Sequence, residues 1–263
     1  MITAIFFDID GTLIRMDTHD IPSSTLTALH TLKEKGIRLF IASGRPPVHI
    51  PLLCKEFREF PWDGYVLLNG QYCADENMEV FSANPISKTS LESLIPYLQQ
   101  ADFYCSVFEK DFSYEIRFNE DTYAYMKELG KEQEMPPVLD PIRALTHDTY
   151  QICPHIPPER DEEFLSHAPG MKSARWTPRF ADMIPADGGK PEGMKKMLAR
   201  HGLAMEECMA FGDGGNDMSM LEAAAIGVAM GNAEDRVKAC ADYVTDRIEN
   251  DGIMKALQHY SLV

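Results

Sequence analysis

Apolar runs of four to six residues, each cut off by a polar turn, punctuate both ends of this chain. Ala4 to Phe7 is the first, followed by Asp-Ile-Asp-Gly-Thr. A short run that is apolar at every position is the pattern of a parallel strand buried on both faces. Pro22-Ser23-Ser24 then opens a stretch with Leu26, Leu29 and Leu32 on one face, closed by Gly36, which predicts a helix. Ile37 to Ala42 is the next predicted strand, stopping at Ser43-Gly44-Arg45, and Tyr65 to Leu68 the one after it, stopping at Asn69-Gly70. Late in the chain Lys190 to His201 reads as a helix. Cys208 to Phe211 and Ile226 to Met230 read as strands ending at Gly212-Asp213 and Gly231-Asn232. Strands alternating with helices predict an α/β fold with a doubly wound, Rossmann-like parallel sheet.

The middle of the chain has a different texture. Tyr104 to Phe108 and Tyr114 to Phe118 look like paired strands joined by a short turn, and Asn119 to Leu129 looks helical. Prolines then recur at 136, 137, 141, 154, 157, 158, 169 and 178. This predicts an inserted α+β domain over 83–182, with 1–82 and 183–263 forming the core around it.

Composition, charge and cysteine pattern narrow the picture. With 263 residues, 44% hydrophobic and 25% charged, the chain is an ordinary globular protein of one or two domains. No apolar stretch reaches the roughly 18 residues of a membrane span. Met1-Ile2-Thr3-Ala4 lacks a basic lead, so a cytoplasmic location is expected. A net charge of −16 argues against a nucleic-acid partner, and an anionic small substrate would need local cations. The six cysteines are scattered without a C-x-x-C pair and read as free thiols.

The candidate chemistry sits at strand ends, where open parallel sheets bind ligands. Asp8, Asp10, Ser43 and Asp213 each follow a predicted strand. Two carboxylates about 4 Å apart repel by about 4 kcal/mol at an effective dielectric near 20. A divalent cation with a preference for oxygen, such as magnesium, turns that repulsion into binding. Gly11 permits close backbone approach and Thr12 adds a hydroxyl. In "FGDGGNDMSML" the glycines make a tight loop carrying Asp213 and Asp217, and Asn216 can cap a helix or reach an oxyanion. In "IASGRP" Ser43 and the Gly44 amide can hold a phosphate oxygen, while Arg45 reads as a salt-bridge residue or a phosphate contact. Lys190 opens its helix after a glycine pair. No nucleotide-loop spacing is present.

These motifs in this order, D-I-D-G-T, S-G-R, a lysine before a late helix and G-D-G-G-N-D, resemble the haloacid dehalogenase (HAD) superfamily. "GDGGNDMSML" and "AAIGVAMGNA" are similar to its Cof-type branch, subfamily IIB, whose members are mostly sugar-phosphate phosphatases. The likeness covers nearly the whole chain. It departs at "NGQ", Asn69 to Gln71, where that branch often has Asn-Gly-Ala, and this departure touches no catalytic role read from the sequence.

The resemblance implies a HAD core with the insert as a mobile cap that excludes water and reads the leaving group. It implies Mg2+ held by Asp8, the Asp10 main-chain carbonyl and Asp213, with Asp217 supporting that shell. Asp8 would be the nucleophile and Asp10 the acid and base, with Lys190 neutralising charge. Thr12, Ser43, Gly44, Asn216 and Arg45 would meet the phosphate or substrate. Arg175, Trp176, Arg179 and Asp182 would be sugar contacts or packing residues. The expected partner is a small phosphorylated metabolite, hexose or pentose, without nucleic acid or membrane, acted on by a monomer or small homo-oligomer. Two other readings stay open: a phosphosugar mutase using the same phosphoenzyme, and a non-enzymatic phospho-acceptor module.

Overall fold

The computed structural model describes residues 1–117, 120 and 135–263. Its elements run β1 (Ala4–Phe7), α1 (Ser23–Glu34), β2 (Arg38–Ala42), α2 (Lys55–Glu59), β3 (Gly64–Leu67), β4 (Tyr72–Asp75) and β5 (Val80–Ala83). There follow α3 (Lys88–Gln100), β6 (Cys105–Glu109), β7 (Ser113–Glu115), β8 (Thr149–Pro154), α4 (Asp161–Ser166), β9 (Met171–Ala174) and β10 (Asp182–Pro185). The chain ends with α5 (Lys190–Arg200), β11 (Cys208–Gly212), α6 (Met218–Ala223), β12 (Ile226–Ala229), α7 (Asp235–Lys238), β13 (Tyr243–Val244) and α8 (Gly252–His259).

Two compact units result: Met1–Ala83 with Gly188–Val263, and Asn84–Asp187. The first holds an eight-stranded sheet in the order β13-β12-β11-β1-β2-β3-β4-β5, parallel from β13 to β3 and antiparallel beyond. The all-apolar runs are the central strands. Side chains alternate across such a sheet. Ala4, Phe6, Phe40 and Ala210 therefore join Met194, Met197 and Met220 of α5 and α6 on one side. Phe7 stacks on Phe211 at 5.1 Å and leans on Trp62 on the other. Burying a side chain such as Phe6 or Phe7 contributes about 2 kcal/mol, so the middle of the sheet is its firmest part and the strand ends inherit fixed positions.

The hairpin β4–β5 was not foreseen. Its residues are mixed in polarity because β5 is a half-exposed edge strand, and no periodicity marks it.

The second unit is a five-stranded antiparallel sheet, β7-β6-β8-β10-β9. One face packs with α3 and α4 in its own core, built on Leu91, Leu94, Phe103, Val107, Ile152 and Phe164. The pair read at Tyr104 and Tyr114 is β6–β7. The helix expected at 119–129 lies outside the described residues, apart from position 120. Strand β10 pairs with β8 and β9, so this unit continues to Asp187 rather than stopping at 182. Among the described residues no helix is long and apolar enough to cross a membrane.

Candidate active site

Neighbouring strands of the first unit deliver the acidic residues. The backbone ladder continues one residue beyond β1 and β2: Asp8 N donates to Phe211 O at 3.0 Å, and Ser43 N to Val66 O at 2.8 Å. The loop after Asp8 closes on itself, with Leu13 N and Ile14 N both donating to Ile9 O at 3.0 and 2.8 Å. Gly11 has φ +81°, and a Cβ there would lie 2.2 Å from Asp213 Oδ2. Only glycine lets this loop press against the Asp213 carboxylate.

Lys190, the first residue of α5, is 1% exposed. Its ammonium donates to Asp8 Oδ1 at 2.6 Å and to Asp217 Oδ1 by a shorter contact. Asp217 Oδ2 accepts from the amides of Asp213 and Gly214 at 3.0 and 2.9 Å, so this carboxylate ties the glycine loop to the lysine. Burial, then the charge of Asp217, pushes the Asp8 carboxyl well above its usual range, and Lys190 opposes them. Burial and Asp217 raise Asp213 to about 7. For Lys190 burial alone would favour the neutral amine, but Asp217 and Asp8 outweigh it and hold the ammonium above its ordinary value.

Ligand oxygens of Asp8, Asp213 and Asp217 lie within 4.8 Å of one another. When ionised, these three carboxylates and one ammonium leave two uncompensated negative charges in a buried place. A divalent cation that prefers oxygen fits that deficit. Thr12 Oγ1 donates to Asp213 Oδ1 at 3.0 Å, which orients the carboxylate.

The other expected residues have specific partners. Asp10 receives a two-pronged ion pair from Arg45, Nε to Oδ2 at 2.6 Å and Nη2 to Oδ1 at 2.7 Å. This is the salt bridge that one of the two readings of Arg45 expects. Ser43 is buried and its Oγ accepts from the Arg45 amide at 3.2 Å, with Gly44 between them. Asn216 Nδ2 donates to Asn69 Oδ1 at 2.9 Å; Lys190 binds the two aspartates described above. Arg175 belongs to the second unit, where Asp161 Oδ1 accepts from its Nη2 at 2.5 Å and Ile156 O at 3.1 Å. That guanidinium is committed to packing.

Two residues escaped the sequence reading. Asn232 Nδ2 donates to Gly11 O at 2.8 Å and Asp213 Oδ2 at 3.2 Å, while its Oδ1 accepts from Ile248 N at 3.1 Å. It follows β12, so the strand-end rule that singled out Asp8 and Asp213 would have found it. Asn69 is the second. It sits at φ 52° and holds Asn216, while Gln71 packs against Gly188. The "NGQ" stretch therefore does touch the site.

The chain matches the family of haloacid dehalogenase-like hydrolases over residues 5–257. It superposes on the solved structure of the HAD subclass IIB sugar phosphatase BT4131 with a TM-score of 0.90 and 37% identity, covering 99% of this chain and 100% of that one. BT1666 of Bacteroides thetaiotaomicron, a HAD-superfamily phosphatase, gives 0.89 and 31%, covering 100% and 96%. In sequence the chain is 30% identical to the pyridoxal phosphate phosphatase YbhA of Escherichia coli strain K12, over 95% of each.

Proposed function

Because the chain belongs to the haloacid dehalogenase-like hydrolases, we propose that the Asp8 centre is a magnesium-dependent phosphatase site that hydrolyses hexose or pentose phosphates through an aspartyl-phosphate. Phosphatase action on phosphorylated small molecules is what the similar relatives and solved structures share. The metal, the sugar and the residue roles are the proposal. One observation carries it: a buried ammonium 2.6 Å from the Asp8 carboxylate, beside Asp213, at the carboxyl edge of a parallel sheet.

The Asp8 carboxylate, the Asp10 main-chain carbonyl and Asp213 would hold Mg2+, with Asp217 behind them. Bound there, the ion supplies positive charge that offsets repulsion between the nucleophile and a phosphate dianion. Asp8 attacks phosphorus, and the bond from phosphorus to the ester oxygen breaks. That oxygen takes a proton from Asp10, which has to open its Arg45 ion pair and take up a proton before this step, and leaves as the alcohol. Asp10, now a carboxylate, takes a proton from a water molecule, which attacks phosphorus and frees phosphate and Asp8. Lys190 stabilises negative charge beside Asp8 throughout. Thr12, Ser43, Gly44 and Asn216 surround the phosphoryl oxygens, and Arg45 fixes the direction of the Asp10 carboxylate. The insert serves as the cap that reads the leaving group.

The test is to trap the phosphoenzyme. With p-nitrophenyl phosphate, whose leaving group needs little protonation, Asp10→Ala should accumulate a phosphoryl group on Asp8, seen by intact mass after quenching. Asp8→Asn should carry none. Label on Asp8→Asn, or label on Ser43 of the unaltered protein, would overturn the mechanism.

A further inference from the structure

The turn between β3 and β4 has a backbone that its sequence does not favour. Leu68, Asn69 and Gly70 follow one another with φ of 51°, 52° and 93°. Glycine adopts such angles freely and asparagine tolerates them, but a leucine there is held by its surroundings at a cost in free energy. Leu68 and Asn69 are both buried.

The surroundings are other loops of the same unit's site. Leu68 N donates to Arg45 O at 3.1 Å and Asn69 N to Ser43 O at 3.0 Å, so the turn grips the Ser43-Gly44-Arg45 loop at both ends. Gly193 lets α5 press on the turn, since a Cβ there would stand 2.9 Å from Gly70 Cα. Gln71 Nε2 donates to Asn69 O at 3.3 Å and braces the turn from behind. The Asn69 side chain reaches a third loop, where its Oδ1 accepts from Asn216 Nδ2 at 2.9 Å. Segments 43–45, 189–193 and 216 thus converge on one strained turn.

Strain of this kind persists only where neighbours over-determine it, and it collects where geometry matters to function. Asparagine serves two needs at position 69: it accepts the left-handed backbone and offers an acceptor oxygen. A carboxamide nitrogen carries two hydrogens. By taking one from Asn216, Asn69 fixes the plane of that amide and the direction of the other. From this we infer that Asn69 is a positioning residue for phosphate binding: held in its left-handed turn, it aims the second N–H of Asn216 at an oxygen of the bound phosphoryl group. Asn69 itself touches no reacting atom. The inference rests on the phosphatase reading above, in which Asn216 meets the phosphoryl oxygens, and names what directs it there.

The experiment uses the full-length protein with Mg2+, p-nitrophenyl phosphate as substrate and inorganic phosphate as competing ligand. Asn69→Gly keeps the left-handed backbone and its N–H but loses the oxygen that holds Asn216. Asn69→Asp keeps an acceptor oxygen. In the parent, Asn216→Ala should raise KM for the substrate and the inhibition constant of phosphate by about tenfold, the loss of one hydrogen bond to a charged group. The same change should keep its effect beside Asn69→Asp. Asn69→Gly should by itself show most of that loss, and adding Asn216→Ala to it should alter either constant by less than about twofold. Losses that multiply in the Asn69→Gly background, an effect of Asn216→Ala that vanishes beside Asn69→Asp, or an Asn69→Gly protein that binds phosphate like its parent would each overturn the inference. A second measurement needs no change at Asn69. In isotope-labelled parent protein, the pair of side-chain amide protons missing from Asn216→Ala belongs to Asn216. Inorganic phosphate should shift one of the pair far more than the other; equal shifts, or none, would overturn the inference and leave the phosphatase reading intact. A parent that neither hydrolyses p-nitrophenyl phosphate nor binds phosphate would remove the phosphatase reading itself.

Discussion

Asp213 shows how much of the site's behaviour is set by single side chains. Its carboxyl is pushed to about 7 by burial and by Asp217, against the help of Thr12. An acid whose folded value exceeds its unfolded one, about 4, keeps its proton more tightly when folded. The folded state therefore loses stability as pH climbs through the window from about 4 to about 7. In chelator, the unaltered protein should weaken between about pH 5 and pH 8, and Asp213→Asn should weaken less. At about pH 8 the variant should be more stable by roughly 1–3 kcal/mol, a range discounted for partial solvent access. Urea unfolding at both pH values measures this, and added Mg2+ should reverse the order. A metal-free Asp213→Asn protein no more stable than its parent at pH 8 would contradict the charge-crowding account.

At the scale of elements, the loop between β3 and β4 is a wedge under the start of α5. A Cβ on Gly70, which has φ +93°, would stand 2.0 Å from Gly189 O. Gly36 has φ +77° with open space around it. Gly36→Ala should cost only the left-handed backbone penalty, about 1–2 kcal/mol. Gly70→Ala should cost more than about 3 kcal/mol, since backbone must move, and should lower kcat because Lys190 follows Gly189. Thermal unfolding and turnover of the two variants check this; equal costs would remove the wedge. The same contrast explains what the sequence could reveal. Strand ends were legible because AIFF and its like are buried on both faces, and Asp8 and Asp213 follow from them; Lys190 was legible only as the start of a helix after a glycine pair. The edge hairpin β4–β5, helix α3 and strands β8 to β10 were not, because their burial comes from partners distant in sequence. For the same reason the ion pair of Arg45 with Asp10 and the grip of Asn232 on Asp213 needed coordinates.

For the molecule as a whole, the two ends of the insert meet each other. Asn84 Nδ2 donates to Asp187 Oδ1 at 3.0 Å, so the two crossings lie side by side. Each unit also has its own apolar core. A chain joining Ala83 to Gly188 through a short Gly-Ser linker should therefore fold, unfold cooperatively and still hydrolyse acetyl phosphate. An unfolded or aggregating product would mean that the first unit depends on the insert.

Strand β1 lies between β2 and β11, and that order has a consequence for biosynthesis. The partner on one side of β1 is made within its first few dozen residues, while Thr12 and Asp213 are 201 positions apart. At about 5–20 residues per second, β1 waits about 10–40 s on the ribosome for β11. Throughout that time an apolar strand shows an open edge, the kind of surface that chaperones cover and that aggregates seed from. Asp8 meets Lys190 and Asp213 only when this gap is filled, so a nascent or truncated chain carries the proposed nucleophile without the groups that surround it in the folded protein.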